Sequence, residues 1–288
     1  MKKKIVFICI VLALLFFVYP HGVIFVDAAE VVASGACGEN LVWELNDEGM
    51  LRISGNGAMF NWEGNTLSSA PWYSINDEIK SLVIENGVTS IGNYAFHWCN
   101  LMSVILPNSI ENIGDSAFKN CCELESIVLQ EGVKHIGAET FYGCIKLSDI
   151  SIPSSVVSMD HNIFEACNAL TQIDVSSANP NYCSNNGMLF DKAQTILISY
   201  PSATGYVIIP DSVIHIGNTA FYSCEKMTGI AFPDSLLSIG EYAFYSCENL
   251  ADVKLPDGIS TIGDLAFYGC DSISSITIPA SITSVLYH

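Results

Sequence analysis

Positive charge is what this chain has least of. It carries 11 Lys and Arg against 30 Asp and Glu, a formal net charge of −19. Phosphate backbones are bound through patches of lysine and arginine, so nucleic acid is disfavoured as a partner. Anionic membrane surfaces are disfavoured for the same reason. Catalytic signatures are missing too: there is no G-x-S-x-G, no H-E-x-x-H and no glycine-rich phosphate loop. Nor is there a D-x-D-x-D-G loop or a glycine-aspartate nonapeptide, so the acidic residues read as solvated surface and not as calcium ligands. The neighbouring carboxylates Asp47 and Glu48 sit in a turn, where solvation explains them. His97, His135 and His215 fall at non-core positions of a repeat and are expected on the surface. No catalytic residue, metal site or cofactor is assigned from the sequence.

The one long apolar run lies at the start. Lys2, Lys3 and Lys4 precede "IVFICIVLALLFFV", Pro20, His21 and Gly22 break it, and Val26 and Ala28 suit cleavage. Residues 1–28 therefore read as a secretory signal, with no stable membrane span after its removal and with an uncleaved anchor as the alternative. Cys9 lies too early for lipoprotein processing. The expected location is secreted or at the cell surface. The closing "SITSVLYH" stops in mid-repeat, and no sorting motif or second hydrophobic span follows.

Repetition fills most of the remaining chain. The pattern I-G-x-x-A-F-x-x-C-x-x-L-x-x-I-x-L-P starts at Ile91, Ile113, Ile136, Met159, Ile216, Ile239 and Ile262, with a partial start at Val285. A fixed period of this size means a solenoid, in which each unit buries its face only against its neighbours. The alternating Leu250, Val253 and Leu255 predict a short strand with one buried face, and Pro256 ends it. Ile239, Ala243, Phe244 and Cys247 fall on one side of a predicted short helical stretch, with Gly240 at a tight entry. Stacked coils then give an α/β solenoid: a curved parallel β-sheet on the concave side and short helices on the convex side. These motifs resemble the BspA-type leucine-rich repeat, common on bacterial surface proteins, over about residues 79–288. The resemblance implies a curved leucine-rich-repeat solenoid with a role in adhesion or ligand binding, not catalysis.

Two segments depart from the period. In residues 30–78, Leu41, Trp43 and Leu45 face Leu51 and Ile53 across the turn Asp47–Gly49, a hairpin signal, and Trp62, Trp72 and Tyr73 follow. A β-rich N-terminal cap over the first exposed core face is expected. A separate module stacking its aromatics on sugar is the alternative, and a glycan-active protein working through this block is a corresponding functional reading. Between Met159 and Ile216 the step is 57 residues. An enlarged coil at about 176–210 accounts for it, with a hairpin of Met188–Phe190 and Ile196–Ile198 around "DKAQ" and a strand through Val207 and Ile209. It is either a structural embellishment or a lobe shaping a binding face.

Cys99, Cys121, Cys144, Cys167, Cys224, Cys247 and Cys270 recur at one repeat position. Ligands one coil apart do not make a zinc site, and equivalent side-by-side positions do not converge into disulfides. A small buried plug is expected at each. Cys37, Cys122 and Cys183 lie off this ladder and leave a disulfide open.

Candidate ligand-binding residues come from the strand positions pointing away from the core. One row holds Val83, Ile105, Val128, Ser151, Asp174, Ile208, Ala231, Lys254 and Thr277. The other holds Ser81, Ser103, Ser126, Asp149, Gln172, Gly229, Asp252 and Ser275. The face runs from apolar with serines to acidic. It marks an interaction site, or it reflects β-propensity alone. A second stripe, Tyr142, Tyr222, Tyr245 and Tyr268, follows the buried Phe of each coil and either binds protein or glycan or packs between coils. The expected function is a non-catalytic binding or adhesion module for a protein or glycan ligand such as host extracellular matrix. A spacer or envelope component without a specific ligand is the alternative.

Overall fold

The computed structural model describes residues 29–64 and 69–282. The signal segment and the partial repeat at Val285 lie outside the described residues. The chain forms a β-solenoid of stacked parallel coils with two rows of strands. The longer row includes Ser81–Ile84, Ser103–Ile105, Ser126–Val128, Asp149–Ile152 and Gln172–Val175, and resumes at Gly205–Ile208, Met227–Ala231 and Asp252–Lys254. Its inward residues, such as Val104, Ile127, Ile150 and Ile173, are buried. The second row is built from shorter strands at the repeat starts. Their register is fixed one period apart: Ile91 opposite Ile113, Ile113 opposite Ile136, and Ile216 opposite Ile239.

The N-terminal block merges into this stack. Val31–Gly38, Leu41–Asn46 and Met50–Gly55 form an antiparallel meander, and the last of these pairs in parallel with Ser81–Ile84. Trp43 and Trp72 are buried and meet edge to face at 5.7 Å. Trp72 stacks on Phe96 at 5.6 Å and donates its indole N–H to the Ala95 carbonyl oxygen. These rings close the first coil.

The expected helices are not there. Among the described residues the only helical element is a 3-10 stretch, Tyr73–Glu78. The I-G-x-x-A-F-x-x-C segment is instead a pair of tight turns. Its fourth and eighth residues have positive φ, as in Tyr94 (55°) and Trp98 (62°), Ser116 (53°) and Asn120 (58°), and Thr219 (53°) and Ser223 (55°). A right-handed helix cannot absorb a left-handed residue every fourth position. The coil gains hydrogen bonds to its neighbour in exchange. Tyr94, Phe96 and Trp98 donate their N–H groups to the carbonyls of Asp115, Ala117 and Lys119 at 2.8–2.9 Å. Ser116, Phe118 and Asn120 repeat this toward Ala138, Thr140 and Tyr142.

Two ladders fill the core beneath these turns. Phe96, Phe118, Phe141 and Phe164 stack at 5.4–5.8 Å, and Phe221, Phe244 and Phe267 at 4.8–5.0 Å. The repeated cysteines are more than plugs. Cys121, Cys144 and Cys167 each donate S–H to the carbonyl oxygen of the Phe one coil back, at 3.0–3.2 Å. Cys247 and Cys270 do the same at 3.1 Å. All ten described cysteines, including Cys37, Cys122 and Cys183, are free thiols. Burial pushes the Cys99, Cys167 and Cys224 thiols up to about 12.

The enlarged coil places three strands ahead of Gly205–Ile208. Tyr182–Asn185 pairs antiparallel with Met188–Asp191, which pairs antiparallel with Ile196–Ser199. The last then joins the second strand row, with Leu197 opposite Ile216.

Candidate ligand-binding face

The period-two alternation of each long strand sends every second side chain away from the core. Parallel pairing aligns these side chains into two rows. In one, Arg52 lies opposite Val83, Ile105 opposite Val128, and Ser151 opposite Asp174. In the other, Ser103 lies opposite Ser126 and Asp149 opposite Gln172. All of Val83, Ser103, Ile105, Ser126, Val128, Asp149, Ser151, Gln172, Asp174, Asp252 and Lys254 are exposed.

The face divides into three zones. Toward the N-terminus Val83, Ile105 and Val128 are 37%, 53% and 46% exposed, three aliphatic side chains abreast. Arg52 borders them, its guanidinium held by Glu85 with Glu44 at 3.7 Å. The middle is acidic and internally organised. Ser148 donates its hydroxyl to Asp149 at 2.7 Å, and the Gln172 amide donates to Asp174 at 2.6 Å. At the end of the enlarged coil the face turns aromatic and aliphatic again. Tyr206 and Ile208 are 55% and 70% exposed. Tyr206 lies across Gly229, where a Cβ would stand 2.6 Å from Tyr206 Cδ2. Glycine at that position leaves room for the ring. Tyr206 was missing from the sequence-derived rows. Inward Val207 and Ile209 in "YVIIP" imply by alternation that Tyr206 points outward with Ile208.

The tyrosine stripe packs on itself. Tyr222 and Tyr245 stack at 5.0 Å, and Tyr245 and Tyr268 at 5.1 Å. Tyr142 carries the Lys119 ammonium 4.5 Å from its ring centre. Tyr268, at the end of the ladder, is exposed while the other three are half-buried. Beside Tyr142 and Tyr222 stands Glu165, whose carboxyl burial and the nearby Glu139 push up to about 7, against the opposing pull of Lys119.

The histidines divide. His215 is exposed and His135 half-buried, and each places Nδ1 2.8 Å from the serine hydroxyl one coil on, Ser238 or Ser158. His97 is buried, against expectation. It stacks on Tyr73 at 4.9 Å, and its Nδ1 lies 2.8 Å from the Tyr94 carbonyl. The 3-10 stretch brings Tyr73 over it, which the repeat pattern alone does not encode. No group of three or more His, Cys, Asp or Glu side chains placed to hold a metal occurs among the described residues. No helix among them is long and apolar enough to cross a membrane.

The profile of the BspA type leucine rich repeat region matches residues 67–187 and 200–288, in six copies. Curated proteins give no match. Among solved structures, the chain is similar to a leucine-rich repeat protein from Eubacterium ventriosum, with a TM-score of 0.73 and 27% identity over 88% of this chain and 75% of that one. It shares its fold with the pneumococcal vaccine antigen PcpA, with a TM-score of 0.63 and 19% identity over 88% and 83% of the two chains. A leucine rich cell surface protein from Faecalibacterium prausnitzii has the same fold, with a TM-score of 0.61 and 22% identity over 88% and 90%. The profile covers well over half of the chain, and the chain belongs to the BspA-type leucine-rich-repeat family.

Proposed function

We propose that this protein is a non-catalytic binding module of the cell exterior that holds a protein or glycan ligand against its long-strand face. The observation that carries the reading is the exposed aliphatic strip of Val83, Ile105 and Val128, with Ile105 opposite Val128 on paired strands, beside an acidic centre at Asp149 and Asp174. Outward aliphatic side chains abreast on a soluble sheet leave apolar area in water, which contact with a partner removes. Adhesion to host matrix proteins or mucins is the corresponding biological role, and the description of a structural neighbour as a cell surface protein agrees with it.

The test is binding of the purified chain to immobilised matrix proteins, mucins and glycans, beside a variant with Val83→Asp, Ile105→Asp and Val128→Asp together. Saturable binding lost in the triple variant, with an unchanged circular dichroism spectrum, is the expected result. Full binding by that variant moves the site off this face. Absence of binding across the panel favours a spacer role.

A further inference from the structure

The sequence contains three Asn-Gly pairs: Asn56 with Gly57, Asn86 with Gly87, and Asn186 with Gly187. Such a pair carries a reaction of its own. The backbone nitrogen of the glycine attacks the asparagine side-chain carbonyl, and with no Cβ on the glycine little hinders the approach. A five-membered succinimide forms and ammonia leaves. The nitrogen must first give up its proton, so an N–H held by an acceptor reacts slowly and a free one reacts fast. All three asparagines are exposed, so access to water does not rank them. Hydrogen bonding of the glycine N–H does.

Two of the pairs are tied into the stack. Gly57 donates its N–H to the Gly87 carbonyl at 2.9 Å, where the short strand Gly57–Ala58 pairs with Val88–Ile91. Gly87 donates its N–H to the Ser109 hydroxyl oxygen at 3.1 Å, one coil on. That hydroxyl is fixed in turn by donating to the Val88 carbonyl at 2.7 Å.

The third pair is not tied. Asn186 and Gly187 form the two-residue turn between Tyr182–Asn185 and Met188–Asp191, with Asn185 opposite Met188. Their φ values are 51° and 79°, both positive as a type I′ hairpin turn requires, and Asn-Gly is the preferred sequence for that turn. A Cβ at Gly187 would also stand 2.8 Å from the Thr171 carbonyl oxygen, a second reason for glycine there. Yet among the described residues neither Asn186 nor Gly187 makes a hydrogen bond, through backbone or side chain. The residues that build the turn leave both the attacking nitrogen and its target without a bond to hold them, and segments so little bonded open at the lowest cost.

We propose that Asn186 is a self-modification site, converting to aspartate and isoaspartate in the folded protein while Asn56 and Asn86 are protected. The bond from Gly187 N to Asn186 Cγ forms as the bond from Cγ to Nδ2 breaks. The proton lost by Gly187 N reaches the leaving nitrogen through water, and ammonia departs. One water molecule then opens the ring. Cleavage between Gly187 N and Cγ gives aspartate in the original chain. Cleavage between Gly187 N and the Asn186 main-chain carbonyl carbon gives isoaspartate, in which the chain runs through Cγ. Either product adds one negative charge, and isoaspartate lengthens a two-residue turn by one backbone atom. The turn leads directly into the strand that carries Leu189 and Phe190 into the core, so the change falls at the tip of the hairpin that this strand anchors.

The experiment incubates the purified chain at pH 8, folded and in urea, and follows its tryptic peptides by mass spectrometry against a sample taken at the start. Cleavage after Arg52, Lys80, Lys119, Lys146 and Lys192 puts the three pairs on separate peptides, 53–80, 81–119 and 147–192. Fragment spectra place the one-dalton gain within each peptide. In urea the three pairs are expected to react at similar rates. In the folded chain Asn186 is expected to react at least tenfold faster than Asn56 and Asn86. Ser109→Ala frees the Gly87 N–H and is expected to speed Asn86 severalfold in the folded chain while leaving Asn186 unchanged. A folded chain in which Asn186 reacts no faster than Asn56 or Asn86 overturns the proposal. An Asn86 rate unmoved by Ser109→Ala, with circular dichroism unchanged, overturns hydrogen bonding as the cause of the ranking.

Discussion

The thiol of Cys144 donates to the carbonyl oxygen of Phe118, 3.2 Å away and one coil back. That carbonyl is also the acceptor for the Cys121 N–H within its own coil, at 3.1 Å. One small side chain thus fills the space beneath a tight turn and ties it to the next. Cys144→Ala removes both effects and is expected to cost about 1–3 kcal/mol in urea unfolding, from the void and the lost S–H bond between coils. Cys144→Ser retains a donor and is expected to fall between alanine and wild type. Burial holds the Cys99 and Cys167 thiols near 12, so they stay protonated at pH 8. A maleimide reagent is expected to modify half-buried Cys122 and Cys183 in the native protein and to leave Cys99, Cys121, Cys144 and Cys167 untouched until denaturant is added. Rapid native labelling of the latter four contradicts the buried ladder.

Gly217 and Gly240, which follow the paired residues Ile216 and Ile239 of neighbouring coils, give a second measurement. At Gly240 an added methyl would stand 2.6 Å from Asn218 N and 2.7 Å from Gly217 C in the preceding coil. Gly240→Ala is expected to destabilise by about 1–3 kcal/mol as an overpacking substitution. Gly217→Ala meets only a 3.0 Å approach to the Leu197 carbonyl and is expected to cost distinctly less. Equal losses in matched denaturant titrations contradict the looser fit at Gly217.

The sequence carried the register of this fold clearly, because Ile91, Ile113 and Ile136 align across neighbouring strands as their spacing requires. The outward strand positions followed from alternation. Turns and helices were not distinguishable there. Apolar residues at the first, fifth, sixth and ninth positions suit one face of a helix, and they suit two turns equally well. The left-handed positions hold Tyr94, Glu139 and Leu265, which carry no glycine or asparagine signature. Their conformation is imposed by bonds to the next coil, a non-local cause. Only pairing shows that Tyr200 stands where other coils have their core Phe, its N–H donating to the Ala220 carbonyl and its own carbonyl accepting the Cys224 thiol, and the tyrosine stripe displays its stacking only once the coils are in place.

Glu165 predicts a pH response. Its carboxyl sits near 7 in the folded chain because burial and Glu139 oppose its charge, with Lys119 pulling the other way and the Tyr142 and Tyr222 rings alongside. In the unfolded chain it ionises near the ordinary glutamate value, so the folded state binds the proton more tightly. Its contribution to stability is fully present below about pH 4.5 and declines as pH rises through 7. Glu165→Gln removes the charge without changing the shape. Its urea midpoint is expected to match wild type at pH 5 and to exceed it at pH 8. A constant difference across that range removes Glu165 as the source.

Leu189 and Phe190 are neighbours on one strand of the enlarged coil, yet they serve different cores. Leu189 joins the buried cluster that runs from Cys37 to Ile173, while Phe190, with Met188, joins the cluster that runs to Cys270. Successive strand side chains point to opposite faces, so this strand works as a partition. Solenoid stability is a sum of local terms, and a partition lets the halves unfold separately. All four tryptophans, Trp43, Trp62, Trp72 and Trp98, lie in the N-terminal half, so their fluorescence reports that half alone, whereas far-ultraviolet circular dichroism reports both. Each truncation is expected to cost about 2–5 kcal/mol in its own core. Phe190→Ala is expected to shift part of the dichroism transition to lower urea and leave the fluorescence midpoint in place. Leu189→Ala is expected to lower the fluorescence midpoint. Coincident shifts of both probes in both variants mean that the hairpin couples the two cores into one cooperative unit.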